Sequence, residues 1–271
     1  MSARYAEHAP PPELAEHVAC LWTFEGDDAA EDQRIVPDGR CELIVHYKAP
    51  YLERAADGRL RSQPAALFAG QLTRPLHIRA AAQAGLVGVR FRTAGAAAYA
   101  GAPLSRLTDQ RVDLCELKPG AAELAAGIAA APDEASRLAA AAAHVWREVR
   151  GRPPDPGVVR AVALLRASEG RAGLDALAEA SGRAPRALQR AFAAEVGIPP
   201  RTLRAVIRVR RLFDALQAGD ARTWSAAAQA AGYFDHPQMA RDFRRFVGCT
   251  PSAFLRGAKG LATSLVEPAG S

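Results

Sequence analysis

The sequence predicts an α+β chain. An N-terminal antiparallel β roll or barrel with trailing helices is followed by an all-α, seven-helix domain built on two helix-turn-helix motifs. Three observations predict this. Between Val18 and Arg92, short runs of alternating or β-rich residues are separated by turn signals. Residues 150–157 (RGRPPDPG) form a proline-rich break that a helix does not cross. Beyond the break a pattern repeats fifty-one positions apart: Arg190, Phe192, Val196, Gly197 and Pro200 recur as Arg241, Phe243, Val247, Gly248 and Pro251.

The elements follow in order. Val18, Cys20, Trp22 and Phe24 alternate with Ala19, Leu21 and Thr23, as a strand requires. Residues 41–47 (CELIVHY) are β-rich, and 86–92 alternates with Val87, Val89 and Phe91 pointing inward. Pro37-Asp38-Gly39, Ala56-Asp57-Gly58 and Thr73-Arg74-Pro75 are turn signals between such runs. Residues 119–149 read as one or two helices, with Leu124, Ile128, Leu138 and Trp146 on the apolar side. This makes 1–149 one domain, 150–157 a stiff linker, and 158–257 a second, helical domain. Its helices are expected at 158–167, 174–181, 185–196, 200–218, 224–231, 237–247 and 251–256. Proline at 185, 200, 237 and 251 opens a helix each time, where a missing N–H costs nothing. The tail 258–271 is expected to be disordered.

Within each repeat a small residue (Ala178, Ala228) lets two helices approach, and four residues on a glycine (Gly182, Gly232) permits a tight turn. Six or seven residues later Leu188 or Met239 packs the second helix back on the first. That spacing belongs to a helix-turn-helix, whose second helix enters the major groove of DNA. Two copies suggest one polypeptide reading two successive grooves of double-stranded DNA. The connector 200–218, about 28 Å long at 1.5 Å per residue, can hold the two helices about one B-DNA turn apart, roughly 34 Å. Charge agrees. Residues 1–155 carry 18 Lys+Arg against 20 Asp+Glu, a net of −2, whereas 156–257 carry 16 arginines against 8 acids, a net of +8. Basicity confined to the helical half is what a polyanion partner requires. That every cation there is arginine suits guanine and phosphate, although a G+C-rich genome enriches arginine as well.

Other classes find little support. No apolar run reaches the roughly 18–20 residues that span a bilayer, and the acidic, prolyl N-terminus has no signal-peptide core, so no membrane association and a cytoplasmic location are expected. Cys20, Cys41, Cys115 and Cys249 are scattered, and His46 and His77 stand alone, so neither a metal nor another cofactor is expected. No nucleophile elbow, phosphate loop or HExxH is present, so the chain is not expected to be an enzyme. The rival reading is a β-barrel enzyme, or a DNA-repair-like activity, fused to a DNA-binding domain, with Cys20 or Cys41 as nucleophile. A third is a dimerisation module pairing through 119–149.

The stretch from Gly232 to Phe254 (GYFDHPQMARDFRRFVGCTPSAF), with Ser181-Gly182, Leu188-Gln189-Arg190, Phe192 and Gly197 upstream, resembles the DNA-binding domain of the AraC/XylS family of bacterial regulators. More loosely, Trp22, residues 37–43 (PDGRCEL) and 88–92 (GVRFR) resemble an uncharacterised β-rich domain found ahead of such domains. The resemblance implies a sequence-specific transcription regulator. Arg186, Gln189 and Arg190, with Arg183 in the preceding turn, would serve the first reading helix. His236, Gln238 and Arg241 would serve the second, with Arg244 and Arg245 nearer the backbone. Pro237 and Ala240 depart from the family's polar residues, so specificity is expected to rest mainly on the first helix. Among the connector arginines Arg201, Arg204 and Arg211 are open between phosphate contact and a solvated face, and Arg208 matches a structural position. A small-molecule effector at the N-terminal domain, a second copy of the chain as a homodimer, and RNA polymerase are the further candidate partners.

Overall fold

The computed structural model describes residues 4–26, 32–55, 57–217 and 224–254, and not the side chains at 216 and 217. The expected tail at 258–271 therefore lies outside the described residues.

Among the described residues ten strands build the first half: β1 (Arg4–His8), β2 (Val18–Gly26), β3 (Gln33–Ile35), β4 (Glu42–His46), β5 (Tyr51–Arg54), β6 (Leu60–Ser62), β7 (Ala66–Ala69), β8 (Leu76–Ala80), β9 (Ala84–Phe91) and β10 (Arg111–Asp113). They pair antiparallel in two sheets, of order β1-β2-β9-β4-β7-β10 and β3-β8-β5-β6. The edge strands of the larger sheet, β1 and β10, do not pair with each other, so the sheets do not close into a barrel. The turns form as their side chains dictate: Asp38 Oδ1 accepts from Arg40 N, and Asp57 Oδ1 from Arg59 N, both at 3.0 Å.

The larger sheet is covered on both faces, which is why both rows of β2 are buried. Leu21 joins Leu43, Val45, Phe68, Val87, Val89 and Phe91 in one core against the helices. Cys20 and Trp22 join Tyr51, Ala80 and Leu86 in a second core between the sheets. The covering helices are α1 (Ala97–Ala100), α2 (Leu114–Leu117), α3 (Ala121–Ala130) and α4 (Glu134–Val149). Leu124 and Ile128 are buried and Leu138 packs on the core, as expected, but Trp146 is 39% exposed. The inward stripe of α4 is Ala141, Ala142, Val145 and Val149, and Trp146 lies one residue, about 100°, round from Val145.

The chain is irregular from Arg150 to Asp155. Asp155 then caps α5 (Pro156–Ala167), its Oδ1 accepting from Gly157 N at 2.9 Å and Val158 N at 3.0 Å. That cap starts the helix two residues earlier than periodicity alone suggests. There follow α6 (Leu174–Ser181), α7 (Pro185–Glu195), α8 (Pro200–Gln217), α9 (Trp224–Ala230) and α10 (His236–Val247), and Pro251 opens a seventh helical stretch. Proline opens α5, α7 and α8 directly but stands second in α10, because the Asp235 side chain caps that helix by accepting from Gln238 N at 2.6 Å. Two cores result. Leu177, Leu188, Phe192, Leu203 and Ile207 fill one, and Leu212, Tyr233, Met239, Phe243 and Phe246 the other. Helix α8 contributes to both, so one long helix carries the two repeats.

Candidate DNA-reading surface

Each repeat turns on a left-handed glycine, Gly182 at φ +71° and Gly232 at φ +76°, a conformation that would strain any side chain. Leu188 and Met239 are buried at 0% and 3% exposure, which orients the second helix of each pair. With Leu188 and Phe192 facing inward, α7 turns Arg186, Gln189 and Arg190 to solvent. Their spacing of three and four keeps them on one helical face. Among the described residues nothing hydrogen-bonds or ion-pairs with any of the three side chains. Glu195, a rival partner for Arg190, is instead half-buried, and that burial pushes its carboxyl up.

Helix α10 repeats the arrangement. Phe243 and Phe246 face inward, and Arg241, Arg244 and Arg245 are exposed. Arg245 lies over the ring of its neighbour Phe246, 5.0 Å from the centroid. His236 is exposed with Nε2 3.3 Å from Ser225 Oγ, and Gln238 is half-buried. The Asp235 carboxylate, six residues before Arg241, is engaged in the helix cap.

Arg183 is placed differently. Its guanidinium makes a bidentate pair with Asp155, the cap of α5, at 2.9 and 2.6 Å. The Arg183 hydrogen bonds hold the Asp155 carboxyl below its usual range, with help from the backbone N–H groups of α5. Two connector arginines also have protein partners: Arg204 donates to Gly170 O at 3.3 Å, and Arg211 pairs with Glu169. Arg201 is exposed. Arg208 is buried, 3.4 Å from Asp242 and 4.6 Å from the centroid of the Tyr233 ring, while Tyr233 Oη donates to Asp242 at 3.2 Å. This cluster ties α8 to α10.

One residue of the surface escapes a reading by motif. Phe234, between Gly232 and the cap Asp235, is 100% exposed, two residues before the exposed His236. The second turn is one residue longer than the first, and that insertion is the signal for an added side chain there.

Among the described residues, no three His, Cys, Asp or Glu side chains gather to hold a metal ion, and no helix is long and apolar enough to cross a membrane. Residues 177–257 match a helix-turn-helix domain family, and residues 6–113 match a domain of unknown function, DUF6597. No curated protein matches the chain. Among solved structures, ToxT from Vibrio cholerae is similar at 8% identity and a TM-score of 0.45, over 94% of this chain and 97% of that one. Wild-type ToxT with unsaturated fatty acid bound is similar at 9% identity and 0.44, over 86% and 93%. The AraC-like transcriptional activator CuxR is similar at 14% identity and 0.30, over 83% and 100%. An AraC-type helix-turn-helix domain thus stands behind a DUF6597 domain, and the chain is a DNA-binding transcription regulator.

Proposed function

We propose that α7 and α10 read base edges in two successive major grooves, with Arg186, Gln189 and Arg190 setting most of the sequence preference. The observation that carries this is their exposure on one face of α7 without a partner, while the matched face of α10 offers mainly arginines. Arginine pairs bidentately with guanine O6/N7 and glutamine with adenine N6/N7, so α7 has the richer code. His236 and Gln238 open α10, Arg241 enters the groove, and Arg244 and Arg245 face phosphate. Phe234 sits at the groove edge, where its ring packs on a thymine methyl. Arg183, fixed on Asp155, positions the first turn. Residues 1–149 and 158–257 are the two working units.

Selection from a random duplex library with the purified chain tests this. Arg186→Ala or Gln189→Ala should relax preference in one operator box, at about 1–3 kcal/mol each. Phe234→Ala should abolish the difference between thymine and uracil at one position of the other box, and Arg244→Ala should weaken all sequences alike. Indistinguishable losses from these variants would remove the division of labour.

We infer further that the N-terminal half senses a small molecule by packing and hydrogen bonding. Between the sheets Trp22 Nε1 is buried and, among the described residues, has no hydrogen-bond partner, an arrangement a bound polar group would satisfy. Burial holds the His46 ring neutral, with its pKa pulled down to about 4 against a lesser upward effect of Gln63. The cysteines suit catalysis poorly: burial pushes Cys20 up to about 11, despite Arg90, and pushes Cys41 higher still. A ligand that raises the melting temperature of the wild type should lose that effect in Trp22→Phe and keep it in a Cys20→Ser, Cys41→Ser variant. Loss in the cysteine variant would point to covalent chemistry instead.

A further inference from the structure

The N-terminal domain grips the two repeats at the same place in each. Val196-Gly197 closes α7, and Val247-Gly248, fifty-one residues on, closes α10. At the first corner Thr108 Oγ1 donates to Gly197 O at 2.7 Å. At the second, Arg34 Nη1, from β3, donates to Val247 O at 2.9 Å. Both glycines are left-handed, at φ +90° and +82°, and both admit close approach by the other domain. A Cβ on Gly197 would stand 3.1 Å from Leu104 O, and one on Gly248 would stand 3.0 Å from Pro75 Cγ.

Between these pins the 37–40 turn rests on the connector helix. A Cβ on Gly39 would come within 2.7 Å of Leu203 Cδ1, and Val36 is part of the core shared by Val206, Val209 and Phe243. Arg166 of α5 donates to Thr93 Oγ1 at 2.6 Å. The N-terminal half thus touches the first repeat, the connector and the second repeat. Without it, α8 and the approach of Arg171 to the Gly232 turn would be left to fix where α10 stands relative to α7. Rotation of either repeat about α8 would break a pin.

We propose that the N-terminal domain is a caliper: through Thr108 and Arg34 it sets the separation of α7 and α10, and with it the spacing between operator boxes that the protein accepts. The proposal rests on the reading of α7 and α10 as DNA-reading helices. Thr108 and Arg34 act as positioning residues and touch no base. The matched corners carry the argument, because contacts placed only for docking would have no reason to fall on the same Val-Gly corner of both repeats, on the glycine carbonyl in the first and on the valine carbonyl in the second.

The test uses the full chain and the operator recovered from a random duplex library. Inserting or deleting one base pair between the boxes shifts one box by about 3.4 Å and about 35°, and should cost the wild type on the order of tenfold in affinity. In an Arg34→Ala, Thr108→Val double variant the penalty should fall to about threefold or less. Its affinity for a single isolated box should equal that of the wild type, which shows that each repeat is still folded. Thr108→Ser, which keeps the donor, should retain the wild-type penalty. An unchanged penalty in the double variant, or a wild type indifferent to spacing, overturns the caliper alone. A wild type that selects no operator overturns the base-reading assignment together with it.

Discussion

Raising monovalent salt from 50 to 200 mM is expected to weaken operator binding by about 10² to 10⁴-fold, with a log–log slope of about −4 to −7. Each phosphate neutralised by an arginine releases condensed counterions, so the slope counts contacts. The helical half, 156–257, carries a net of +8 beside a net of −2 over 1–155. Of its described arginines, Arg186, Arg190, Arg201, Arg241, Arg244 and Arg245 are exposed, as are Arg160, Arg166 and Arg171, which already hold protein partners. Arg183, Arg204, Arg208 and Arg211 already have carboxylate or carbonyl partners and should add little. Arg244→Ala or Arg245→Ala should each flatten the slope by about one, whereas Arg211→Ala should leave it in place. A slope shallower than about −2 for the wild type would mean too few phosphates are met for two grooves to be occupied.

The helical half is legible in the sequence because its rules are local. A glycine that must be left-handed, a proline that must open a helix and an apolar stripe of period 3.6 each act within a dozen residues. Among the described residues the helix starts differ from periodicity only where an aspartate cap, Asp155 or Asp235, starts the helix early, while the ends of α7 and α9 fall one residue short. What is missed depends on contacts distant in sequence. Trp146 fits the helical stripe as well as Val145 does, and only the tertiary choice of the alanine–valine face leaves it exposed. Whether ten short strands close into a barrel depends on edge pairing between β1 and β10, a hundred residues apart, which no turn signal encodes. The site shows the same division. The exposure of Arg186, Gln189 and Arg190 follows from Leu188 and Phe192 facing inward, whereas the pairing of Arg183 with Asp155 joins residues from separate helices. The grip on Gly197 and Gly248 is likewise invisible in a repeat read alone.

Asp242→Ala is expected to destabilise the second repeat by about 3–5 kcal/mol, because removing one partner of a buried pair leaves an uncompensated charge. Arg208 is buried in α8, with its side chain 9% exposed, and Asp242 is its carboxylate partner at 3.4 Å. The Tyr233 ring, 4.6 Å from the guanidinium, supplies only a cation–π contact. Burial, and then the nearby Asp242, hold the Tyr233 phenol protonated well above its ordinary range, so it acts as a donor to that carboxylate at neutral pH. Asp242 therefore joins α8, the turn and α10 in one cluster, and its loss should release the reading helix while the first repeat stays folded. In hydrogen exchange, amides of α9 and α10 should lose protection while those of α6 and α7 keep it, and DNA selection should return one box in place of two. An Arg208→Met, Asp242→Leu double variant removes both charges and should recover much of the stability. Recovery should remain incomplete, because the Tyr233 hydroxyl is left buried without its acceptor, at about 1–3 kcal/mol. Adding Tyr233→Phe to the pair should restore most of that remainder. A single Asp242→Ala change costing less than about 1 kcal/mol would show that Arg208 escapes to solvent, and the cluster would then not be what fixes α10.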